Sequence, residues 1–112
     1  MGSKSFLGEL EQIALLAVRR LGRDAYGAAV RDEIEGWTGR SLSVSAIYVT
    51  LMRLEKKGHV RSWLADPTPV RGGKAKRYFE ILPAGVEALQ RARATMDQIW
   101  ADLDTGTEAK VQ

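Results

Sequence analysis

The sequence predicts a mainly α-helical fold carrying one small β-hairpin, and three observations predict it. Three successive stretches in the first half of the chain repeat apolar residues at helical spacing. Two short alternating runs, 60–65 and 76–82, then flank a segment rich in proline and glycine. A long heptad-like stretch follows Pro83. The 112 residues fit one domain, and at 45% hydrophobic composition they can fill a modest core.

Residues 7–21 read as the first helix, with Leu7, Leu10, Ala14, Ala17, Val18 and Leu21 as its core stripe. Ile13 and Leu16 fall outside that stripe, so the helix is apolar on more than one face and calls for burial on a second side. Asp24 is placed to cap a second helix over 25–37, whose inner face is Tyr26, Ala29, Val30, Ile34 and Trp37. Gly36 and Gly39 end it. Ser43 caps a third helix with Val44, Ile47, Leu51 and Leu54 inward and Ser45, Val49, Met52 and Lys56 outward, until Gly58 stops it.

Helix, short glycine-containing turn, helix is the helix-turn-helix order. The hairpin that follows, with Asp66–Lys74 as its loop, has the shape of a wing. Pro83 suits the first turn of a long last helix. There Leu82, Leu89, Met96 and Leu103 recur every seventh residue, with Gly85, Ala92 and Ile99 three later and Val86 and Trp100 widening the seam. A small domain cannot cover that whole stripe, which points to a second subunit.

Composition removes whole classes of chemistry. There is no cysteine, hence no disulfide, thiolate zinc site or cysteine nucleophile. His59 is the one histidine, and no nucleotide-binding or metal-ligand spacing occurs, so neither catalysis nor a metal or cofactor is expected. The opening MGSKSFLGEL lacks the apolar core of a secretion signal, and no apolar run approaches the ~20 residues of a membrane span. A soluble cytoplasmic protein is expected.

The net charge of +3 is unevenly spread. Arg53–Arg77 holds eight basic residues against Glu55 and Asp66, a net +6, while the rest carries nine basic and twelve acidic, a net −3. Such a directed patch suits a polyanion, although clustered solvated lysines and arginines would give the same count.

Four segments, LGELEQIALLAV (7–18), DAYGAAVRDEIE (24–35), SAIYVTLMRLEKKGHV (45–60) and RGGKAKRYFEILPAG (71–85), resemble the PadR family of transcriptional regulators, in particular its short-C-terminal branch. The resemblance implies a winged helix-turn-helix over 5–82 followed by a dimerisation helix over 83–104, and the polar residues 105–112 read as a disordered tail. It further implies a homodimeric repressor joined by its first and last helices on a pseudo-palindromic operator in duplex DNA.

On that footing the outer face of the third helix enters the major groove. Ser45 reaches base edges, Val49 a thymine methyl, Tyr48 a phosphate, and Arg53 a phosphate or guanine. Tyr48 could equally be an aromatic that orients the helix, and Arg53 a solvated side chain. Arg71, Lys74, Lys76 and Arg77 act on the backbone or minor groove, while Gly72 and Gly73 allow the tight tip. Ile13, Leu16, Leu89, Met96, Ile99, Trp100 and Leu103 form the expected dimer interface.

In some relatives an aromatic pair on the last helix stacks on a small, flat hydrophobic or aromatic effector. Trp100, Met96 and Ile13 are the residues here that would do so, the alternative for Trp100 being plain interface packing. A winged helix used as a protein–protein adaptor, its charges serving solubility, is the competing function. Steeply salt-dependent duplex binding separates the two.

Overall fold

The computed structural model describes residues 6–65 and 75–110, with side chains as far as residue 105. The wing residues Arg71, Gly72, Gly73 and Lys74 lie outside the described residues.

Helix α1 (Glu9–Leu21) starts where the Gly8 N–H donates to Glu11 Oε1 at 2.8 Å, which satisfies one of the donors a helix start leaves unpaired. A single turn of 3₁₀ helix, Gly22–Asp24, follows. Asp24 therefore closes that turn instead of capping the next helix. The N-cap of α2 (Gly27–Thr38) is the extended Tyr26, which makes no side-chain cap. Gly36 lies inside α2, and the stop is Gly39, whose φ of 71° is the left-handed conformation that glycine adopts without strain. Helix α3 (Val44–Lys56) begins as expected: the Ala46 N–H donates to the Ser43 hydroxyl at 3.0 Å.

Strands β1 (Val60–Leu64) and β2 (Arg77–Ile81) pair antiparallel, with Val60 opposite Ile81 and Trp63 opposite Tyr78. Tyr26 forms a bridge to Tyr78, and the Phe79 N–H donates to the Ala25 carbonyl at 2.8 Å. The turn into α2 thus adds a one-residue third strand to the hairpin. Helix α4 (Pro83–Lys110) starts at the proline and passes Asp104, so backbone placed in the expected tail continues the helix through Lys110.

The fold is the mainly helical winged helix-turn-helix with a long C-terminal helix. Its core is Leu15, Val18, Ile34, Ile47, Leu51, Leu54 and Phe79, all at most 1% exposed. Each such side chain contributes about 1.5–3 kcal/mol of burial free energy.

Several residues sit differently from the sequence reading. Val44, expected inward, is 38% exposed, because it opens the first turn of α3. Leu15, outside the expected α1 stripe, is fully buried, because α2, α3 and β2 surround α1 over a wide arc. Trp37 is 46% exposed, since it lies in the last turn of α2, beyond the core. Met52 packs half-buried against the core. Leu89, assigned to the dimer seam, is only 8% exposed and belongs to the protomer's own core, because the first turns of α4 lie on the domain.

Beyond Ala92 every described α4 residue is exposed. The radius of gyration of 17.4 Å exceeds the ~13 Å of a compact chain this long, as a projecting helix requires.

A close backbone approach and a buried ion pair fix α4 and α1 to the end of α3. A Cβ on Gly85 would meet the Ile81 side chain at 2.9 Å and the His59 carbonyl oxygen closer still. Only glycine lets α4 approach the end of α3 this closely. Nearby, the buried Glu11 carboxylate accepts from Lys57 Nζ at 2.8 Å, joining α1 to the α3 C-terminus. Burial by itself raises the Glu11 pKa. The Lys57 hydrogen bond, the Gly8 N–H and the Lys57 and Arg53 charges outweigh it and hold the carboxyl below 4.5.

Gly85→Ala is expected to destabilise the fold by about 1–3 kcal/mol through overpacking, despite alanine's better helix propensity. Gly36→Ala, with nothing within 4 Å of its added Cβ, should stabilise by up to about 1 kcal/mol. Urea midpoints check both, and equal shifts would refute the close approach.

A carboxyl whose pKa is lower folded than unfolded stabilises above its unfolded value, and that contribution is lost as pH falls through the folded pKa. Glu11→Gln is therefore expected to flatten the loss of stability below pH 4.5, measured as melting temperature against pH. An unchanged acid limb would refute the Lys57 pairing.

Candidate nucleic-acid interface

Helix α3 is two-sided. Ile47, Thr50, Leu51 and Leu54 are buried, which turns the opposite side outward. Ser45, Val49 and Arg53, spaced four apart, form one exposed line on that side. Val49, in the middle of that line, is 55% exposed. Tyr48 stands beside the line at 37% exposure, with its ring 6.1 Å from that of Phe79 in an edge-on contact. The hairpin thus braces Tyr48 while leaving its outer part in solvent.

The two described wing cations differ in employment. Lys76 is exposed, its ammonium 4.2 Å from the centroid of the Tyr26 ring. Arg77 is turned inward and half-buried, where its Nη1 donates to the Ser62 hydroxyl at 3.0 Å. That hydroxyl donates onward to the Glu55 carboxylate, which also accepts the Ser62 N–H at 3.0 Å. Arg77 therefore helps hold the hairpin on the α3 C-terminus through one of its five guanidinium N–H groups.

Sequence reasoning placed Tyr26 on the inner face of α2. In the structure it lies in a row of rings across the outward hairpin face: Tyr26 to Tyr78 edge-on at 5.5 Å, then Tyr78 to Trp63 stacked at 6.2 Å. Such cross-strand pairs stiffen a small sheet. The alternation of β1 and β2 marked Trp63 and Tyr78, but nothing local to Tyr26 marks the pairing.

The expected interface residues fall into three groups. Met96, Ile99, Trp100 and Leu103 are all 46–61% exposed and follow i, i+3, i+4, i+7 spacing, an apolar stripe along the projecting part of α4. Leu16 on α1 is 45% exposed. Ile13 packs half-buried on the core of its own domain, as Leu89 does more completely.

Among the described residues no cluster of three His, Asp or Glu is placed to hold a metal, and no helix is long and apolar enough to cross a membrane.

Three helices, a two-strand wing and an outward-facing third helix define a winged helix-turn-helix protein. The family described as Transcriptional regulator PadR-like matches residues 15–91, and the chain belongs to that family.

Solved structures agree on the fold. A PadR-like transcription factor from Bacteroides fragilis superposes with a TM-score of 0.73 at 16% identity, covering 86% of this chain and 87% of that one. A PadR family regulator from Clostridium difficile gives 0.71 at 17%, covering 89% and 99%. A PadR-like regulator from Bacillus cereus gives 0.62 at 21%, covering 92% and 91%. Comparison with curated proteins gives no match.

Proposed function

We propose that this chain is a sequence-specific regulator that binds duplex DNA as a homodimer, acting as a repressor on a pseudo-palindromic operator. The observation that carries the reading is the two-sided α3, which presents Ser45, Val49 and Arg53 in one solvent-facing line on a helix otherwise sealed into the core. A helix so presented fits the major groove, about 12 Å wide.

In this reading Ser45 and Val49 meet base edges, and Arg53 reaches a guanine or a phosphate. Tyr48 contacts a phosphate from its braced position. Lys76, with Arg71 and Lys74, supplies backbone contacts that set affinity and register. Arg77, which donates to Ser62 through Nη1, joins them with its remaining donors.

The exposed α4 stripe of Met96, Ile99, Trp100 and Leu103, together with the exposed Leu16 of α1, is the surface that a second copy would cover. A contiguous exposed apolar stripe of this kind marks an association site. The domain division is 5–82 for DNA contact and the helix from Pro83 for pairing. Trp100 and Met96 also form the surface on which a flat hydrophobic effector would stack between subunits, and the half-buried Ile13 would form its inner wall.

Fluorescence anisotropy on a labelled duplex from the gene's own upstream region, against a scrambled duplex and across salt, tests the reading. Binding that prefers the native duplex and falls steeply with salt, by a log–log slope of about −0.9 per phosphate contact, is expected. No binding to either duplex at low salt would contradict it and favour the protein-adaptor role.

The pairing surface gives a separate expectation. Ile99→Asp with Trp100→Asp should halve the mass seen by light scattering while the melting temperature of the domain stays within a few degrees, because both side chains are exposed in the protomer. Leu89→Asp should instead unfold the domain, since it buries a charge in the core. A dimer that survives the double substitution would remove this face from the account.

A further inference from the structure

A second site with chemistry of its own lies between the end of α1, the 3₁₀ turn and the outward face of the hairpin. None of its lining residues comes from α3 or α4. We propose that this recess binds a nucleoside phosphate, its phosphates at Arg19 and Arg23 and its base against Arg61 and Trp63.

The recess holds about 530 Å³, within the range of small-molecule sites. Val18 and Ile81 supply its apolar floor. Three arginines, Arg19, Arg23 and Arg61, line it against a single carboxylate, Glu80. That carboxylate is already ion-paired with Arg61. Arg19 and Arg23 have no ion-pair partner among the described residues, while Arg20, Arg31 and Arg40 do.

Two uncommitted guanidiniums in one concavity leave it electropositive, and their planar forks match phosphate oxygens bidentately. Cations are generally favoured near a helix C-terminus, which accounts for a basic residue at Arg19. It does not account for Arg23, which sits in the turn beyond α1, nor for an aromatic wall.

The flat end of the recess is built and braced. The Trp63 indole is 37% exposed, with Tyr78 stacked behind it at an interplanar angle of 20°. The Arg61 guanidinium lies over the indole, 4.7 Å from its centroid, and is tied by its Nε to Glu80. The plane it turns outward is therefore the one a base would stack on, with the indole beneath. Indole and guanidinium planes are the surfaces on which nucleobases stack. Because the ring row and the ion pair already hold them, little side-chain ordering is needed on binding. Anion-binding forks and a flat stacking surface in one recess match a ligand that carries both a base and phosphates.

Isothermal titration of the full chain with GTP and ATP tests this, with guanosine and inorganic tripolyphosphate as half-ligand probes. At least one of the two nucleotides is expected to bind once per chain, about tenfold or more tighter than either half-ligand. Arg19→Ala with Arg23→Ala, both on exposed side chains, should weaken that binding about tenfold or more. Arg71→Ala with Lys74→Ala on the wing should leave it unchanged. Absence of nucleotide binding, or affinity unaffected by the Arg19 and Arg23 substitutions, would overturn the proposal. So would an equal loss in the wing variant, which would place the nucleotide on the DNA-facing cations, or tripolyphosphate binding as tightly as the nucleotide, which would leave the base no role.

Discussion

Phe79 ties together the parts of the molecule whose relative positions matter. Its side chain is 1% exposed in the core, its ring receives the edge contact of Tyr48 from α3, and its N–H donates to the Ala25 carbonyl just before α2. Three elements distant in sequence thereby share one anchor. Without it the two strands of the hairpin would be a marginal structure, since an isolated pair of strands is barely stable in water. With it, the wing cation Lys76 and the outward line on α3 belong to one rigid surface. Removing a buried phenyl ring costs about 3–5 kcal/mol, a large part of the total stability of a small domain.

The polar contacts around that anchor show which charges are structural. Arg77, Ser62 and Glu55 form a chain of hydrogen bonds that holds the hairpin to α3, and Lys57 is held by Glu11. Part of the +6 patch read from the sequence therefore also stabilises the fold. Arg53, Lys56 and Lys76 are exposed cations of that patch with no ion pair among the described residues. The apolar residues divide in the same way. Leu89 and the first turns of α4 complete the core, and the stripe from Met96 onward is left for another surface.

All four helices and the hairpin were legible in the sequence, because each carries a local signal: the Ser43 cap, the Gly39 and Gly58 stops, the alternation around Trp63 and Tyr78, and Pro83 at a helix start. What escaped depends on residues far apart in the chain. The single bridge at Tyr26 is too short to show a period, and nothing near Glu11 announces a partner 46 positions away. Heptad spacing placed Leu89 and Met96 on one seam, because it cannot tell which turns of a helix lie on their own domain. The outward residues of α3 were readable from the helical period alone. The inward turn of Arg77 was not, because strand alternation says which face a residue occupies but not which hydroxyl its guanidinium finds.

The proposed function requires one geometry, two copies of α3 presented by a symmetric pair of domains joined along α4. Hydroxyl-radical footprinting of the full chain on its upstream duplex measures that geometry directly. The account predicts two protected patches related by a two-fold axis, on one face of the duplex and separated by about one helical turn of 10–10.5 base pairs or a multiple of it. A single unsymmetrical patch, or protection spread evenly along the backbone, would contradict it.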